Sequence, residues 1–326
     1  MRSMLTVFRK ELSDDFTSLR FLILFGLVLL AGIFSVYIAA NTISSNTTTE
    51  VSSFATNSAS QFIFLQLFTI SSESLSASFL TFITLFVPIV GIALGFDAIN
   101  SERNAGTLSR LLSQPVYRDD VINGKFLAGV STIAIMLISI VLLVAGIGLR
   151  IIGVPPSAEE VIRLIAFLGL GIVYGAFWLS ISMLFSVLVR RIATSALASI
   201  AIWIFFYFFI SIIASSIAGR IAPISDSSTT TEQLKYLAVN VDIMRISPVY
   251  LFQEASSVIL SPDSRTLSEL IQIQAQGLQA WMMPSPLSVA QSIIMVWPQI
   301  VTLIALTVIS FAISYIKFMR EEIRST

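Results

Sequence analysis

The chain has 326 residues, 56% of them hydrophobic and 12% charged, with 19 basic and 19 acidic side chains. A soluble domain carries roughly 25% charged residues, so half that share leaves too little polar surface to cover a globule in water. Zero net charge gives no overall pull on nucleic acid. The absence of cysteine and histidine excludes disulfides, thiolate zinc sites and imidazole acid–base chemistry.

In the first twenty residues Leu5, Phe8, Leu12, Phe16 and Leu19 recur at helical spacing, while Arg9, Lys10, Asp14 and Asp15 fall elsewhere on the wheel. The pattern predicts an amphipathic helix on a membrane surface, either an anchor or a helix that also packs against a partner. Glu11, Asp14 and Asp15 precede an apolar run too long for a signal-peptide core, so no signal peptide is expected.

Six stretches then reach the roughly 20 apolar residues that a spanning helix needs. They are Phe21–Ala40, Ser76–Phe96, Val121–Leu149, Val161–Val189, Ile192–Ala218 and Leu287–Lys317. With both termini inside the cell, 13 of the 19 basic residues fall on the cytoplasmic side, the bias that sets orientation. Asn41–Leu75, rich in Ser, Thr and Asn, reads as a flexible external loop. The segment 219–286 reads as a small external helical cap, with Pro248 suited to the first turn of one helix and Leu267–Met283 forming another.

Several kinds of chemistry leave no mark. No ionisable residue lies deep inside a span, which argues against an ion-coupled transporter. There is no potassium-filter sequence, no G-x-S-x-G elbow and no G-x-x-x-x-G-K-[ST] loop. No catalytic, cofactor-binding or metal-binding residue is assigned, and any ATP must be hydrolysed by another subunit. Trp281-Met282-Met283 reads as an interfacial anchor. Gly91-x-x-x-Gly95 and Gly171-x-x-x-Gly175 allow close helix approach, within the chain rather than across a dimer seam. Pro88 and Pro298 lie inside spans and are expected to kink or loosen them.

The informative exception is the charged insert "SERNAGTLSRLLSQPVYRDDVINGK" at 101–125, between the second and third spans. Ser101 suits an N-cap, Glu102 the first turn, and Ala105, Leu108 and Leu112 line one face with Leu111 beside them. Pro115 ends the helix, and Asp119 and Asp120 open the next. Such a helix could lie on headgroups or dock in a protein groove; the interleaved acids and bases favour the groove.

Glu102, Gly106-Thr107-Leu108, Leu111-Leu112, Ser113, Pro115, Arg118 and Gly124-Lys125 resemble, in order, the first cytoplasmic loop of type 2 ABC exporter membrane subunits. Phe8–Leu12 resembles the N-terminal elbow helix of that family, and "ISPVYLFQEASSVIL" the external segment before its last span. Within the family the chain is most similar to permeases of the nitrous-oxide-reductase maturation transporter. The resemblance implies an all-α integral membrane protein in the cell membrane, one exporter-type domain over 1–326. Its parts are an elbow helix in 1–20, six spans, a cytoplasmic coupling helix in 98–120, and external segments at 41–75 and 219–286.

The implied partners are an ABC ATP-binding subunit, which would hold ATP and Mg, and a second permease subunit, identical or different; membrane lipid surrounds them, and no nucleic acid is expected. Glu102, Arg103, Gly106, Thr107, Leu108, Leu111, Leu112, Pro115, Arg118 and Lys125 are then the candidate ATPase-docking residues. Gly106 would permit close approach. A membrane scaffold or sensor that uses the same insert to bind a cytoplasmic partner is the alternative, and a channel is a third.

Overall fold

The structure is a computed structural model and describes residues 2–49, 62–70, 78–106, 117–223, 230–262 and 286–320. Among these residues every regular element is helical. Helix α1 spans Arg2–Thr17 and α2 Leu19–Thr49. Ser18 joins them: its Oγ donates to the Asp15 carbonyl at 2.8 Å and accepts from the Phe21 amide at 3.2 Å, so one hydroxyl serves the end of one helix and the start of the next. There follow α3 (Ile63–Thr69), α4 (Phe79–Gly95), the short α5 (Asn100–Asn104), α6 (Arg118–Ile152) and α7 (Ala158–Leu188). The fifth long stretch comprises α8 (Ile192–Ile204), a π-helical turn at Phe205–Phe209 and α9 (Ile210–Ile221). Then come α10 (Thr230–Met244), α11 (Pro248–Leu260) and α12 (Val289–Arg320).

Six stretches are long and apolar enough to cross a membrane: Leu19–Ala39, Phe79–Asn104, Arg118–Ile151, Ala158–Leu188, Ile192–Ile221 and Val289–Arg320. They match the six expected spans to within a few residues, apart from the insert side of the second. Six crossings place α1 and the end of α12 on one face, the α1 face, with α10 and α11 toward the other.

The bundle closes around α4, α7 and α12. A Cβ at Gly91 would meet the Gly175 carbonyl at 2.9 Å, and one at Gly95 would meet the Leu179 carbonyl at 2.9 Å. On the other side of α7, a Cβ at Gly175 would lie 2.8 Å from Ile133 of α6. Both small-residue patterns are therefore spent inside the chain, where they let α4, α7 and α6 stack backbone against side chain. The fully buried Tyr174 stacks on Phe252 with centroids 4.2 Å apart and donates to the Thr84 carbonyl at 3.1 Å.

Two external segments differ from expectation. Residues 62–70 are not a solvated loop: α3 buries Phe64, Leu65, Leu67 and Phe68 in the core. The run "FIFLQLF" is too apolar to remain in water, and α2 itself continues as helix to Thr49. Helix α11 does begin with Pro248 in its first turn. Yet it is no surface cap, because Leu251, Phe252, Ala255, Val258, Ile259 and Leu260 are all buried against α4, α7 and α12. Leu267–Met283, with Trp281-Met282-Met283, lies outside the described residues.

Candidate functional site

The insert begins as the short helix α5. The N-cap position falls to Ile99, which makes no side-chain cap, and Ser101 instead donates its hydroxyl to the Asp97 carbonyl at 2.6 Å. The helix ends at Asn104, and Gly106 just beyond takes φ +67°, a left-handed conformation that closes a helix. A Cβ at Gly106 would meet nothing within 4 Å among the described residues, so within the chain this glycine serves the turn. Thr107, Leu108, Leu111, Leu112 and Pro115 lie outside the described residues. Arg103 and Arg118 are half-buried at the two ends of the gap, and Tyr117 is exposed.

Lys125 lies two turns into α6 and is 7% exposed. Its ammonium is 2.9 Å from Glu11 Oε2 of α1 and 2.9 Å from Glu102 Oε1 of α5. Lys10 adds a second cation, 2.8 Å from Glu11, 3.3 Å from Asp14 and 3.9 Å from Glu102. Two ammoniums thus face two shared carboxylates, and this neutrality is what makes the partial burial tolerable. Burial by itself would raise the Glu11 carboxyl, but Lys125 and Lys10 overturn that and hold it below the usual range. Burial likewise opposes the charge on Lys10, and Glu11, Glu102 and Asp14 outweigh it, raising the ammonium.

The neighbouring glycine explains how the three elements meet. A Cβ on Gly124 would come within 2.9 Å of Val7, so α1 can lie directly on the start of α6 only because residue 124 has none. Ser3 and Asp120 are hydrogen-bonded across the same contact. Farther along α1, Asp15 takes a hydrogen bond from Thr132 at 3.2 Å, and burial pushes its carboxyl up to about 6. Arg20, at the start of α2, reaches Asp97 at 2.5 Å and lies over the Phe96 ring at 5.4 Å.

The structure therefore joins Glu102 and Lys125, and it adds Glu11, Lys10, Arg20 and Asp97, which the motif does not include. Their joint role had no local signature, since 91 residues or more separate Glu11 from Glu102 and Lys125.

A second cation cluster lies on the far face. Arg163 is fully buried. It donates to the Ile259 carbonyl at 3.0 Å, Ser292 Oγ at 3.0 Å and the Leu287 carbonyl at 2.5 Å, and pairs with Glu159 at 2.9 Å. It thereby ties α7 to the end of α11 and the start of α12. A capping box of Ser157 and Glu160 begins α7, and Glu160 also accepts the Phe64 amide of α3 at 3.1 Å. That S-x-x-E signal is readable in the sequence and points to the helix start. Glu254 of α11 pairs with Arg245 at 2.7 Å and accepts from Gln299 of α12 at 2.9 Å.

Comparison with known proteins bears on the whole chain. A family model described as ABC-2 family transporter protein matches residues 5–323. The chain belongs to the ABC-2 transporter family. It is also similar to the probable ABC transporter permease protein NosY of Pseudomonas aeruginosa, with 29% identity over 136 residues, 40% of this chain. The chain spans about half the length of that curated relative, 47%. This ABC-2 permease is the membrane component of its transporter and has no ATPase domain in residues 1–326. Permeases of the family pair with ATP-binding subunits.

Proposed function

We propose that this permease is the pathway-forming subunit of an ATP-driven exporter, acting as a dimer with two ATP-binding subunits docked on its α1 face. That face is cytoplasmic, α1 is the elbow helix, and residues 98–120 carry the coupling element. Residues 1–326 form one transmembrane domain. The far face, with α10 and α11, lies outside.

The observation that supports this most is the Lys125 junction. A docking element must pass motion to the spans, and Lys125 links the insert through Glu102 to both α1 and the third span. Glu102 and Lys125 then act as internal struts. The contacts with the ATPase fall to Leu108, Leu111 and Leu112, with Thr107 and Pro115 shaping the loop and Arg103 and Arg118 flanking it. Gly106 turns the chain out of α5 toward the partner. The bundle interior offers the hydroxyls of Ser180 and Ser310, hydrogen-bonded between α7 and α12, and the rings of Tyr174 and Trp178. The spans carry Ser, Thr, Phe and Trp but no charge deep inside, which suits an uncharged or amphipathic cargo.

The test is co-purification with a candidate ABC ATP-binding subunit, followed by its ATPase rate in the complex. Leu108→Asp with Leu112→Asp abolishes pairing while leaving the permease folded. If the intact permease captures no ATPase under conditions that preserve its fold, the exporter reading falls and the scaffold alternative takes its place.

A further inference from the structure

A cavity of about 470 Å³ opens between α1, α2 and the second half of α4. One side is apolar, with Leu24, Val90 and Leu94. The other is charged, with Asp15, Arg20 and Asp97. A smaller chamber of about 100 Å³, reaching Glu11 and Lys125, shares Asp15, Leu94 and Asp97 as its wall. Volumes of this order are typical of small-molecule sites.

The charges in the wall are not equally satisfied. Asp97 has Arg20, and Asp14, at the rim, has Lys10 at 3.3 Å. Asp15 has no cation within ion-pair distance among the described residues. Its carboxylate receives only the Thr132 hydroxyl at 3.2 Å, and the same hydroxyl lies 2.9 Å from the Ala128 carbonyl. One hydroxyl carries one proton, so it cannot serve both acceptors. Asp15 is thus a mostly buried carboxylate short of a donor, and that shortage is what a bound ammonium would meet. Arg20 shows the complementary surplus: Nη1 is on Asp97, while Nη2 and Nε have no protein partner among the described residues. The apolar wall runs out onto α2, where Leu19, Leu22 and Ile23 are exposed. A bare cation would make no use of that surface; an acyl chain would.

We propose that this cavity binds a zwitterionic aminophospholipid from the leaflet beside α1, its ammonium on Asp15, its phosphate on the free edge of Arg20 and an acyl chain along Leu24 and Val90. The site is lateral, facing lipid, and needs no assumption about what the insert docks on. It makes α1 answerable to the membrane: a filled site fixes α1, and with it Glu11 and Lys125, against the bundle.

The charged groups around Asp15 are Glu11 and Asp14 on its own helix, Lys125 on α6, Asp97 and Glu102 beyond α4, and Arg20 on α2. Burial holds Asp15 near 6, so an ammonium partner is lost as the pH falls below that value.

The experiment uses the purified full chain in nanodiscs of equal parts phosphatidylethanolamine, phosphatidylcholine and phosphatidylglycerol, with retained lipid counted by native mass spectrometry. Phosphatidylethanolamine should be retained about tenfold over phosphatidylglycerol, the size of one charge-assisted hydrogen bond. Asp15→Asn should remove that preference, as should lowering the pH from 7.5 to about 5. Arg20→Gln should lower retention of all three lipids. Leu94→Trp fills the cavity and should block retention; Ala93→Leu does so more gently if the tryptophan variant fails to fold. Equal retention of phosphatidylglycerol, or a preference unchanged in a folded Asp15→Asn protein, overturns the proposal. Dodecylamine separates a lipid headgroup from a free amine: if it binds the Arg20→Gln protein as well as the parent and displaces the lipid, the site reads the amine alone and the phospholipid assignment is wrong.

Discussion

Each face of the bundle takes a cation out of solvent and uses it to hold three pieces of chain together. On the far face, Arg163 divides its guanidinium between the backbone carbonyls of Ile259 and Leu287, Ser292 Oγ, and Glu159 one turn earlier on its own helix. The first three acceptors are fixed where the ends of α11 and α12 are fixed. On the α1 face, Lys125 is held by carboxylates on Glu11 and Glu102, which ride on two peripheral helices with a second lysine and two cavities beside them. A planar donor set locked onto backbone resists displacement, whereas a point charge between flexible carboxylates tolerates it. The far face is built as a weld and the α1 face as a joint, the arrangement that the proposed docking at the insert would need.

The sharpest way to break that contrast is Arg163→Leu. It leaves two buried carbonyls without a donor, and we expect a loss of about 3 kcal/mol or more in unfolding free energy, read as the thermal midpoint in detergent. An unchanged midpoint would remove the weld. Lys125→Met comes next, at about 2 kcal/mol, because Glu11 and Glu102 then lose the buried ammonium they share. A double-mutant cycle with Glu102→Gln should show coupling of about 1 kcal/mol between them. Strict additivity would mean that the joint does not act as a unit.

Between the two faces, Gly91→Ala tests the spine they share. The new methyl meets the Gly175 carbonyl, and a loss of about 1 kcal/mol is expected, equal whichever face is probed by hydrogen exchange.

The smallest effect is a pH dependence confined to the α1 face. With its carboxyl held near 6 by burial, folded Asp15 binds its proton more tightly than the unfolded chain does. Stability therefore rises as the pH falls through about 6 and levels off near 4. Asp15→Asn should flatten this, by about 1 kcal/mol at most between pH 7 and 5. A steeper dependence that survives in Asp15→Asn would place the titrating group elsewhere.

The spans were legible because a bilayer demands a fixed length of apolar helix, and residues such as Phe79 to Gly95 answer only to that demand. The helical spacing of Leu5, Phe8 and Leu12 made α1 legible as a helix, but the side it lays on the bundle is that of Val7, Glu11 and Asp15, while Leu5 stays exposed. What escaped was tertiary. Lys125 carries the same letter whether it meets an ATPase or Glu11, and nothing near residue 125 records a carboxylate 114 positions earlier. Helix α11 reads like an interfacial helix because Ser256, Ser257 and Glu254 interrupt its apolar run; only Gln299 and Arg245, on other elements, make that carboxylate at home in the core. Gly106 was visible as a glycine, but its φ of +67° and the turn it makes are not recorded in the residue type.

Helix α6 has a mechanical consequence. Pro88 and Pro298 interrupt the hydrogen-bond ladders of α4 and α12, but α6 has no proline across its 35 residues. At 1.5 Å per residue it is roughly 52 Å long, well beyond a hydrocarbon layer of about 30 Å. Its first turns are gripped by α1 through Asp120 and Lys125, and its last carry Gly148, on which Leu67 of α3 rests directly. A push at Arg118 therefore reaches the opposite surface through one unbroken strut, arriving at α3 without first having to reshape the packed interior.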